Sequence, residues 1–484
     1  MPRCLTLLFC CLLGAFFRQD VRSAEYRVDS QQVFDHLKAK TFMPGDSILF
    51  KKGIRFTGMF NPKGTGREGK PIIIDAYGKG DLPVINANGT HRAGLLLRDP
   101  SFWEVNRLEI TNTNGSDDDQ GELFGIYVLA DGSEGVFEHI YINDCFIHDV
   151  NGKVAGKQRG GIHVHIKKLK ASRFHDLRIT NNRIVRIGGV GIGNASSCGN
   201  VTILKDGKVE SAHLWTRVYV SDNTVDHTGR NCIIARVSRD AIYERNMLAN
   251  SSRYSTGHSI FNFDTDGIKI QYNEAYGNVG PGGKDRGGFD ADYSSANTYI
   301  QYNYSHDNQW FCGIMKKPNH NVTIRHNISQ NDRHGIYFYG FEKEQKASRI
   351  YIHNNTHFVS KDLYVKVFAE DRTPLNSTFE KNIFYFEGKG EWGEKAKGIG
   401  TLFRDNVYYG IPPHVSDKQA VTRGPKFRET GTAGTNIDLK TMKALSGYRL
   451  DDGSPCRGYG ASLPRWRETE EQNEDNKRDA QDGL

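Results

Sequence analysis

A short strand-like segment that ends in asparagine recurs nine times along the chain. Successive asparagines are 41, 23, 27, 30, 24, 28, 27 and 24 residues apart. A period in the twenties, with insertions and with β-branched or aromatic residues in each repeat, indicates a solenoid of strands rather than of helices. The nine segments are Ile179–Asn182, Val220–Asn223, Ile242–Asn246, Ile270–Asn273, Ile300–Asn303, Ile324–Asn327, Ile352–Asn355, Phe379–Asn382 and Phe403–Asn406.

The repeated asparagine has a physical use in such a solenoid. One coil cannot bury its own apolar face, so neighbouring coils must stack, and a side-chain amide at the same turn of each coil can then donate and accept as a ladder. An earlier segment, Ile140–Cys145, has the same pattern with Cys145 in place of asparagine. The repeats of a β-propeller and the spaced leucines of a leucine-rich solenoid are both missing from the sequence. We therefore predict an all-β protein, a single-stranded right-handed parallel β-helix.

The first residues have the pattern of an export signal. A positive start, Met1–Arg3, is followed by an apolar run over residues 4–17 and by the small residues Ser23 and Ala24. This run, like every later one, falls short of the roughly 20 apolar residues that a membrane helix needs. We expect a secreted or periplasmic protein without a membrane span.

The domain boundaries follow from the two ends of the chain. Residues 30–40, with Val33, Phe34 and Leu37 on one side, predict an amphipathic helix that caps the open first coil. From about Arg465 the chain is charged and poor in apolar residues, which is typical of disorder. We expect a signal peptide over residues 1–24, a β-helix domain with an N-terminal capping helix over 25–464 and a disordered tail over 465–484.

The charge distribution bears on the partner. The formal charge is +7, and removal of residues 1–24 takes away three arginines and one aspartate, which leaves +5. The tail from Glu468 carries seven acids against Lys477 and Arg478, so the body between is about +10. For an exported protein this favours an anionic polysaccharide over nucleic acid, with solubility alone as an equal alternative. We expect a polysaccharide partner, no nucleic acid and a monomer.

Five cysteines follow the predicted signal peptide, at widely scattered positions. An odd number without any Cys-x-x-Cys pair predicts neither a disulfide framework nor a zinc site. We expect buried thiols with at most one or two disulfides. The five are Cys145, Cys198, Cys232, Cys312 and Cys456.

A second strand precedes each asparagine segment, and its alternation decides which side chains reach solvent. Stacked coils lie about 4.8 Å apart, so outward side chains of successive coils share one groove of sugar size. At Phe261 the phase is open, because a slip of one residue would turn Phe261 and Phe263 outward and Asp264 inward. The predicted outward residues are His163, His165, Arg236, Asn262, Asp264, Asp290, Asp292, Tyr337 and Tyr339.

The carboxylates of this groove are the catalytic candidates. Asp290, Asp292 and Asp264 lie at predicted separations that suit acid, base or nucleophile chemistry on a glycosidic bond. Solubility or calcium binding is the alternative for Asp290 and Asp292, and an acidic turn is the alternative for Asp264. No metal site is predicted and no cofactor is required, with calcium left open.

The other polar and aromatic residues are candidates for substrate binding. The histidines could donate to sugar hydroxyls, and no third ligand is identifiable that would make them a metal site. Tyrosine rings offer apolar faces to sugar C–H groups, although these tyrosines could equally be ordinary strand residues. The predicted substrate-binding residues are His163, His165, Arg236, Lys317, Tyr337 and Tyr339.

Several of these motifs together resemble a known group of proteins. Besides the asparagine repeat, they are Pro44–Asp46, Gly287–Asp292, Tyr302–Asn308 and Gly453–Pro455. Over about residues 40–460 the chain resembles the bacterial secreted pectate-lyase-like right-handed β-helix proteins that act on carbohydrates, and most of all their glycoside hydrolases. The resemblance implies carbohydrate chemistry on the outward face of one parallel sheet, with acidic residues in the central coils.

Three functions are compatible with this pattern. The first is a secreted, polysaccharide-degrading glycoside hydrolase that uses paired carboxylates on the outer face. The second is a polysaccharide lyase on a uronate-containing glycan, for which Arg236, Lys316 or Lys317 could supply a base. The third is a non-catalytic glycan-binding or adhesin module, since this fold hosts enzymes and binding modules alike.

Overall fold

A computed structural model of the protein describes residues 23–154, 156–280, 285–341, 343–393 and 398–463. Within these residues the chain winds through three long parallel sheets of 14, 13 and 11 strands, each strand pairing with those of the coils before and after it. This is the predicted right-handed parallel β-helix. In the described ranges the helices are one α-helix, Gln31–Leu37, and two 3-10 helices, Ala369–Asp371 and Lys443–Tyr448.

The strands fall into the three sheets in chain order. The first sheet contains Glu25–Val28, Ser47–Lys51, Ile72–Tyr77, Trp103–Asn106, Gly135–Asn143, Ser172–Thr180, Thr216–Ser221, Ile242–Glu244, Lys269–Gln271, Ser295–Gln301, Asn319–Arg325, Ser348–His353, Ser377–Glu380 and Leu402–Arg404. The second contains Arg55–Thr57, Val84–Asn86, Glu109–Asn112, Phe146–Val150, Arg183–Ile187, Thr224–Thr228, Met247–Ala249, Glu274–Tyr276, Tyr304–His306, Ile328–Gln330, Thr356–Val359, Ile383–Phe386 and Val407–Tyr409. The third contains Ala93–Arg98, Phe124–Ala130, Gly160–Ile166, Val190–Ser196, Ile233–Arg236, Ile260–Phe263, Gly287–Ala291, Trp310–Met315, Gly335–Gly340, Tyr364–Phe368 and Lys389–Glu391. Two small sheets pair Thr41–Phe42 with Lys63–Gly64 and Asn200–Ile203 with Val209–Ala212.

Apolar side chains of all three sheets fill the interior of the coil. In the first sheet Ile270, Ile300, Ile324 and Ile352 occupy the same register on successive strands, and all four are fully buried. Each such side chain contributes about 1.5–3 kcal/mol when it is removed from water. The stack exists only between coils, so burial and coil stacking form together.

The asparagines form the predicted ladder at the turn between the first and second sheets. The Asn273 amide donates to Tyr243 O at 3.0 Å and to Asn303 Oδ1 at 3.0 Å, while its own Oδ1 accepts from the Asn246 backbone and side-chain nitrogens at 2.9 and 3.0 Å. Both donors and both lone pairs of the Asn273 amide are used. The ladder runs through Asn182, Asn223, Asn246, Asn273, Asn303, Asn327, Asn355, Asn382 and Asn406.

The residue before each ladder asparagine has left-handed backbone geometry. Tyr272, for example, has φ of 55°, and Arg245 has φ of 51°. This conformation costs roughly 1–2 kcal/mol for a residue with a Cβ, and it turns the chain sharply enough to place the next side chain inward. The ladder hydrogen bonds offset that cost. The full set is Asn181, Asp222, Arg245, Tyr272, Tyr302, His326, Asn354, Lys381 and Asp405.

The two ends of the coil are closed differently. At the first coil the helix begins after Ser30, whose Oγ accepts from Val33 N at 3.4 Å, and it packs Phe34 against Phe56 with 5.5 Å between ring centroids. This confirms the predicted capping helix, which is shorter than residues 30–40. At the last coil the ladder ends on Asp417, whose Oδ2 accepts from the Asn406 side chain at 2.9 Å.

A C-terminal segment folds back along the outside of the second sheet, which the sequence did not predict. Its backbone nitrogens at Asn436 and Ile437 donate to the buried carboxylate of Glu274 at 2.8 and 2.9 Å. Further along, the Tyr448 hydroxyl donates to Gln330 Oε1 at 2.8 Å. The segment, residues 425–463, therefore covers several coils of this face.

Parts of the sequence prediction fall outside the described residues. The signal peptide over 1–24 lies there except for its last two residues, and so does the tail over 465–484; both stay predictions, as does the 25–464 boundary. No helix in the described part of the chain has the length and apolar character to cross a membrane. Within that part all five cysteines are free thiols, and all but Cys198 are buried.

The ladder makes a prediction about stability. Asn273→Ala removes an amide and leaves partners on both neighbouring coils unsatisfied in the interior, which should lower the free energy of unfolding by about 3 kcal/mol. Asn200→Ala, on the exposed Asn200–Ile203 strand, is the matched control and should cost far less. Urea unfolding followed by circular dichroism measures both. Equal costs for the two variants would contradict the ladder's role.

Candidate active site

The strand Gly287–Ala291 in the third sheet carries acids on its outer face. Phe289 and Ala291 are fully buried in the interior, so Asp290 and Asp292 point the other way, as the sequence predicted. Asp290 pairs in register with Phe261 on the preceding strand and with Gly313 on the following one. A Cβ at Gly313 would lie 2.7 Å from Asp290 Oδ1 and 2.7 Å from His258 Nε2, so glycine at this position makes room for these two side chains.

A pocket of about 320 Å³ opens on this face, large enough for one or two sugar units. It combines three carboxylates, a histidine, three cationic side chains and a wall of aromatic rings. The lining residues are Asp285, Asp290, Asp292, His258, Lys157, Arg236, Arg372, Phe261, Phe263, Tyr293, Phe338, Phe341, Asn231, Gly257, Met315 and Gly340.

Asp290 is held at the base of this pocket by a buried histidine. Its side chain is 4% exposed, and its Oδ2 lies 3.1 Å from His258 Nδ1. The Trp310 indole N–H donates to the other ring nitrogen of His258 at 3.3 Å. A ring with its proton on Nδ1 satisfies both contacts. Asp290 Oδ1 has no hydrogen-bond partner among the described atoms, so it remains available as an acceptor.

The environment separates the pKa values of the neighbouring acids. Burial raises the pKa of Asp290, and the adjacent His258 offsets part of that rise. Burial raises the pKa of Asp292 well above its usual range, and the negative charge of Asp290 raises it further. For His258 burial lowers the pKa, but the charge and hydrogen bond of Asp290 raise it by more. Asp292 therefore holds its proton after Asp290 has ionised.

Asp285 is a third acid of the pocket, and no sequence pattern predicted it. It precedes the strand, so its position follows from no alternation. Its backbone N–H donates to Thr256 Oγ1 at 2.8 Å, and its carbonyl accepts from Gly257 N at 2.6 Å, which ties it to the preceding coil. Asn231, His258 and Asp285 all stand just before third-sheet strands, so the loops at this corner supply part of the site.

Cationic side chains lie over the aromatic rings around the pocket. Both Lys157 and Arg236 are half-buried, and burial lowers the pKa of each. Their positive charge surrounds the carboxylates and suits hydroxyl or acidic groups of a ligand. The pairs are Lys157 over Phe261 at 4.6 Å, Arg236 over Phe263 at 5.0 Å, Arg372 over Phe338 at 5.6 Å, and Lys317 over Phe341 at 4.0 Å and Tyr293 at 4.7 Å.

Tyr337 and Tyr339, predicted to bind substrate, point into the interior instead. Both are fully buried. The Tyr337 hydroxyl lies 2.9 Å from His357 Nε2, and the Tyr339 hydroxyl lies 2.7 Å from Ser377 Oγ. The prediction for these two residues is wrong because interior partners satisfy their hydroxyls. Phe338 between them lines the pocket.

The open phase at Phe261 is settled by the register with Asp290. Phe261 and Phe263 face outward and line the pocket. Asn262 is fully buried, and its side-chain amide donates to Thr298 Oγ1 at 3.0 Å. The predicted outward position of Asn262 is therefore wrong. Asp264 follows the strand with φ of 52° and accepts from Val201 N at 3.3 Å. Burial raises the pKa of Asp264 to about 6, but Asp264 is not among the lining residues, so its catalytic role stays a prediction.

His163 and His165 lie on the same outer face but outside the pocket. Their strand is four strands before Gly287–Ala291 in the third sheet, which corresponds to about 19 Å. Tyr127 OH lies 3.2 Å from His165 Nδ1, and the His163 ring lies 5.5 Å from that of Phe124. Burial lowers the pKa of His163 to about 3 and that of His165 to about 4. Their predicted role in substrate binding stays a prediction.

The calcium alternative concerns the same acids. Among the described residues no group of three or more histidines, cysteines, aspartates or glutamates is arranged to hold a metal ion. Lys157 and Arg236 lie close enough to Asp292 for their charges to act on one another.

The three parallel sheets and the outward pocket define a right-handed parallel β-helix protein. No protein-family model matches the chain. The chain is 27% identical to a lacto-N-biosidase of Bifidobacterium longum subsp. longum, over 86% of this chain and 32% of that protein. It thus spans about a third of the length of this relative.

Solved structures with the same architecture include a GH136 lacto-N-biosidase from Eubacterium ramulus. Its selenomethionine derivative superposes with a TM-score of 0.58 at 19% identity, covering 80% of this chain and 67% of that chain. The native form gives a TM-score of 0.53 at 18% identity, covering 82% and 67%. At this level of identity the likeness shows the fold.

The raised pKa of Asp292 predicts how stability depends on pH. Below about pH 4 the acid is protonated in both the folded and the unfolded chain. As the pH rises, the unfolded chain ionises first, so folding loses about 1.4 kcal/mol for each unit by which the folded pKa exceeds the unfolded one. Asp292→Asn removes this loss and should be more stable than the wild type at neutral pH but not at pH 4.

Thermal unfolding between about pH 4 and pH 8 measures the difference. The control is Asp81→Asn, an exposed residue far from the pocket in sequence. A pH-independent difference between Asp292→Asn and the wild type would show that the carboxyl ionises at an ordinary pKa.

Proposed function

We propose that the protein is a glycoside hydrolase that acts at this pocket and takes lacto-N-biosides as substrates. The observation that carries the proposal is the group of three carboxyls in one sugar-sized pocket, of which Asp292 keeps its proton while Asp290 ionises. Hydrolysis of a glycosidic bond needs one protonated and one ionised carboxyl. The similarity to lacto-N-biosidases supports both the reaction and the choice of sugar.

Asp292 is the proposed general acid. Its proton passes to the glycosidic oxygen while the bond from that oxygen to the anomeric carbon breaks, which produces a neutral leaving alcohol. Burial keeps the pKa of Asp292 high, and the charge of the nearby Asp290 raises it further. Burial also raises the pKa of Asp290, but His258, whose Nδ1 lies 3.1 Å from Asp290 Oδ2, offsets part of that rise, so Asp290 ionises before Asp292.

Asp285 is the proposed second carboxylate. Asp290 is nearly fully buried and engaged by His258, whereas Asp285 is more exposed at the mouth of the same pocket. An oxygen of its side chain can take the proton of a water molecule that attacks the anomeric carbon, or attack that carbon first and be displaced by water. Either course consumes one water and needs no cofactor.

The aromatic wall and the cations serve substrate binding in this proposal. Phe263 and Tyr293 offer ring edges and faces to sugar C–H groups. Arg236 and Lys157 are placed to donate to hydroxyl or acidic groups, which supports an anionic glycan among the substrates. Arg236 Nε has no hydrogen-bond partner among the described atoms and is therefore ready to donate to a ligand.

We further propose that the protein acts as a monomer outside the cytoplasm. The first strand, Glu25–Val28, begins directly after the predicted cleavage region, and this supports removal of the preceding residues. N-terminal sequencing of the exported protein should give a start close to Glu25.

The general acid can be identified by its dependence on the leaving group. Asp292→Asn should lower kcat on a lacto-N-biosyl oligosaccharide by roughly 10²–10⁴, because the leaving sugar needs a proton. On a nitrophenyl lacto-N-bioside, whose leaving group departs without one, the loss should be much smaller. Asp285→Asn should lower both rates by similar large factors. Reducing-sugar release and nitrophenol absorbance are the two measurements.

Asp81→Asn is the matched control, since Asp81 is an exposed acid that does not line the pocket. It should keep most of the activity. Near-normal turnover by both Asp292→Asn and Asp285→Asn would refute the proposed roles. Ultraviolet absorbance of an unsaturated uronate, formed from an anionic polysaccharide, would instead establish a lyase.

A further inference from the structure

A second cleft lies beside the pocket, where the chain turns between the second and third sheets. Its volume is about 320 Å³. Its lining includes Asn151, Arg186, His227, Arg253, Tyr254 and Asp117. None of these residues lines the pocket that holds the three carboxyls. We refer to this site as the second cleft.

Two chain segments connect the second cleft to the pocket. His227 lines the cleft, and Asn231, four residues later, lines the pocket. Tyr254 and His258 are related in the same way on the next coil. Four extended residues span at most about 14 Å, so the two cavities are separated only by a narrow ridge. A short oligosaccharide can bridge that distance.

Tyr254 provides an aromatic surface at the cleft. The residue is 42% exposed. Its backbone nitrogen donates to Gly229 O at 3.1 Å, and the ring packs close to Gly229, where a Cβ would lie 2.9 Å from it. The ring is therefore held in place while a large part of it faces solvent, as a sugar-stacking residue requires.

Asn151 provides an unsatisfied acceptor in the same cleft. The residue is 7% exposed, and its amide donates to Leu123 O at 2.7 Å. Its Oδ1 has no hydrogen-bond partner among the described atoms. A buried acceptor without a partner is costly, at about 1–3 kcal/mol, unless a ligand or water completes it. A sugar hydroxyl is a donor of the required kind.

The charges of the second cleft point to a neutral ligand. Arg186 is paired with Asp149 at 2.6 Å, and the lining also contains Asp117 and Arg253, so two arginines are matched by two aspartates. One further cation, Lys153, has its Nζ 6.0 Å from the centroid of the Tyr254 ring. Polar groups of both signs beside an aromatic ring fit a chain of neutral sugars better than a phosphate or a carboxylate.

We propose that the second cleft is a distal sugar subsite, which binds a neutral part of a longer glycan while another part of the same chain is cleaved in the pocket. The proposal rests on the proposed function. It assigns Tyr254 and Asn151 to substrate binding, away from the reacting bond, and makes activity depend on glycan length.

The test compares substrates of different length. Tyr254→Ala should leave kcat/KM on the nitrophenyl lacto-N-bioside nearly unchanged and lower it roughly three- to tenfold on lacto-N-biosyl oligosaccharides of four and six sugars, mainly through KM. Tyr254→Phe keeps the ring and should behave like the wild type. Tyr409→Ala, with a tyrosine of 41% exposure outside both cavities, is the matched control.

Binding without turnover separates this proposal from the proposed function. In the Asp292→Asn background, Tyr254→Ala should weaken calorimetric binding of the six-sugar oligosaccharide but not that of the disaccharide. Equal losses for both lengths, or no loss for either, would overturn the subsite. If the wild type cleaves no lacto-N-bioside, the proposed function fails, whereas length-dependent binding at Tyr254 would still establish the subsite.

Discussion

The side-chain amide ladder is the interaction on which the rest of this structure depends. A single coil of about 25 residues gains nothing from curling up alone, because its apolar side chains would face water. Each ladder asparagine joins its coil to the coils on both sides. Its hydrogen bonds also offset the conformational cost of the left-handed residue that makes the turn, which before Asn273 is Tyr272. Stacking and turning are therefore one event. Once the ladder fixes the register, every other position on the coil is fixed as well, including those of the outer face.

The chemistry of the pocket follows from that register. Asp290, Phe261 and Gly313 are far apart in sequence but adjacent in the third sheet, because their coils are stacked. A stiff stack can hold acids in surroundings that would otherwise relax or admit water, and so it tolerates a carboxyl such as Asp292, whose charged form is disfavoured. The interior isoleucines and the asparagine ladder elsewhere in the coil stabilise the fold and offset the free-energy cost of burying this carboxyl.

Sequence patterns predict this fold well and its site only in part. The ladder is visible because asparagine recurs at one turn, and the outward position of Asp290 and Asp292 is visible because Phe289 and Ala291 alternate with them. Tyr337 and Tyr339 are misjudged because tyrosine is polar at one end only, so a partner such as Ser377 allows it inside. Asp285 lies before its strand, where alternation has no meaning. The fold-back of residues 425–463 depends on Glu274, a contact between positions about 160 residues apart that no local pattern encodes.

The carboxylate of Asp417 gives the solenoid a chemical terminus. Each amide passes a hydrogen bond onward in one direction, so the series has polarity, and its last member, Asn406, still has a donor to satisfy. Another asparagine there would present a new donor to whatever came next. A carboxylate can only accept, and Asp417 also takes the Asn406 backbone N–H and the Tyr408 hydroxyl. The ladder therefore ends at Asp417, and Asn406 keeps no unpaired donor through which a second molecule could extend the stack into a fibre.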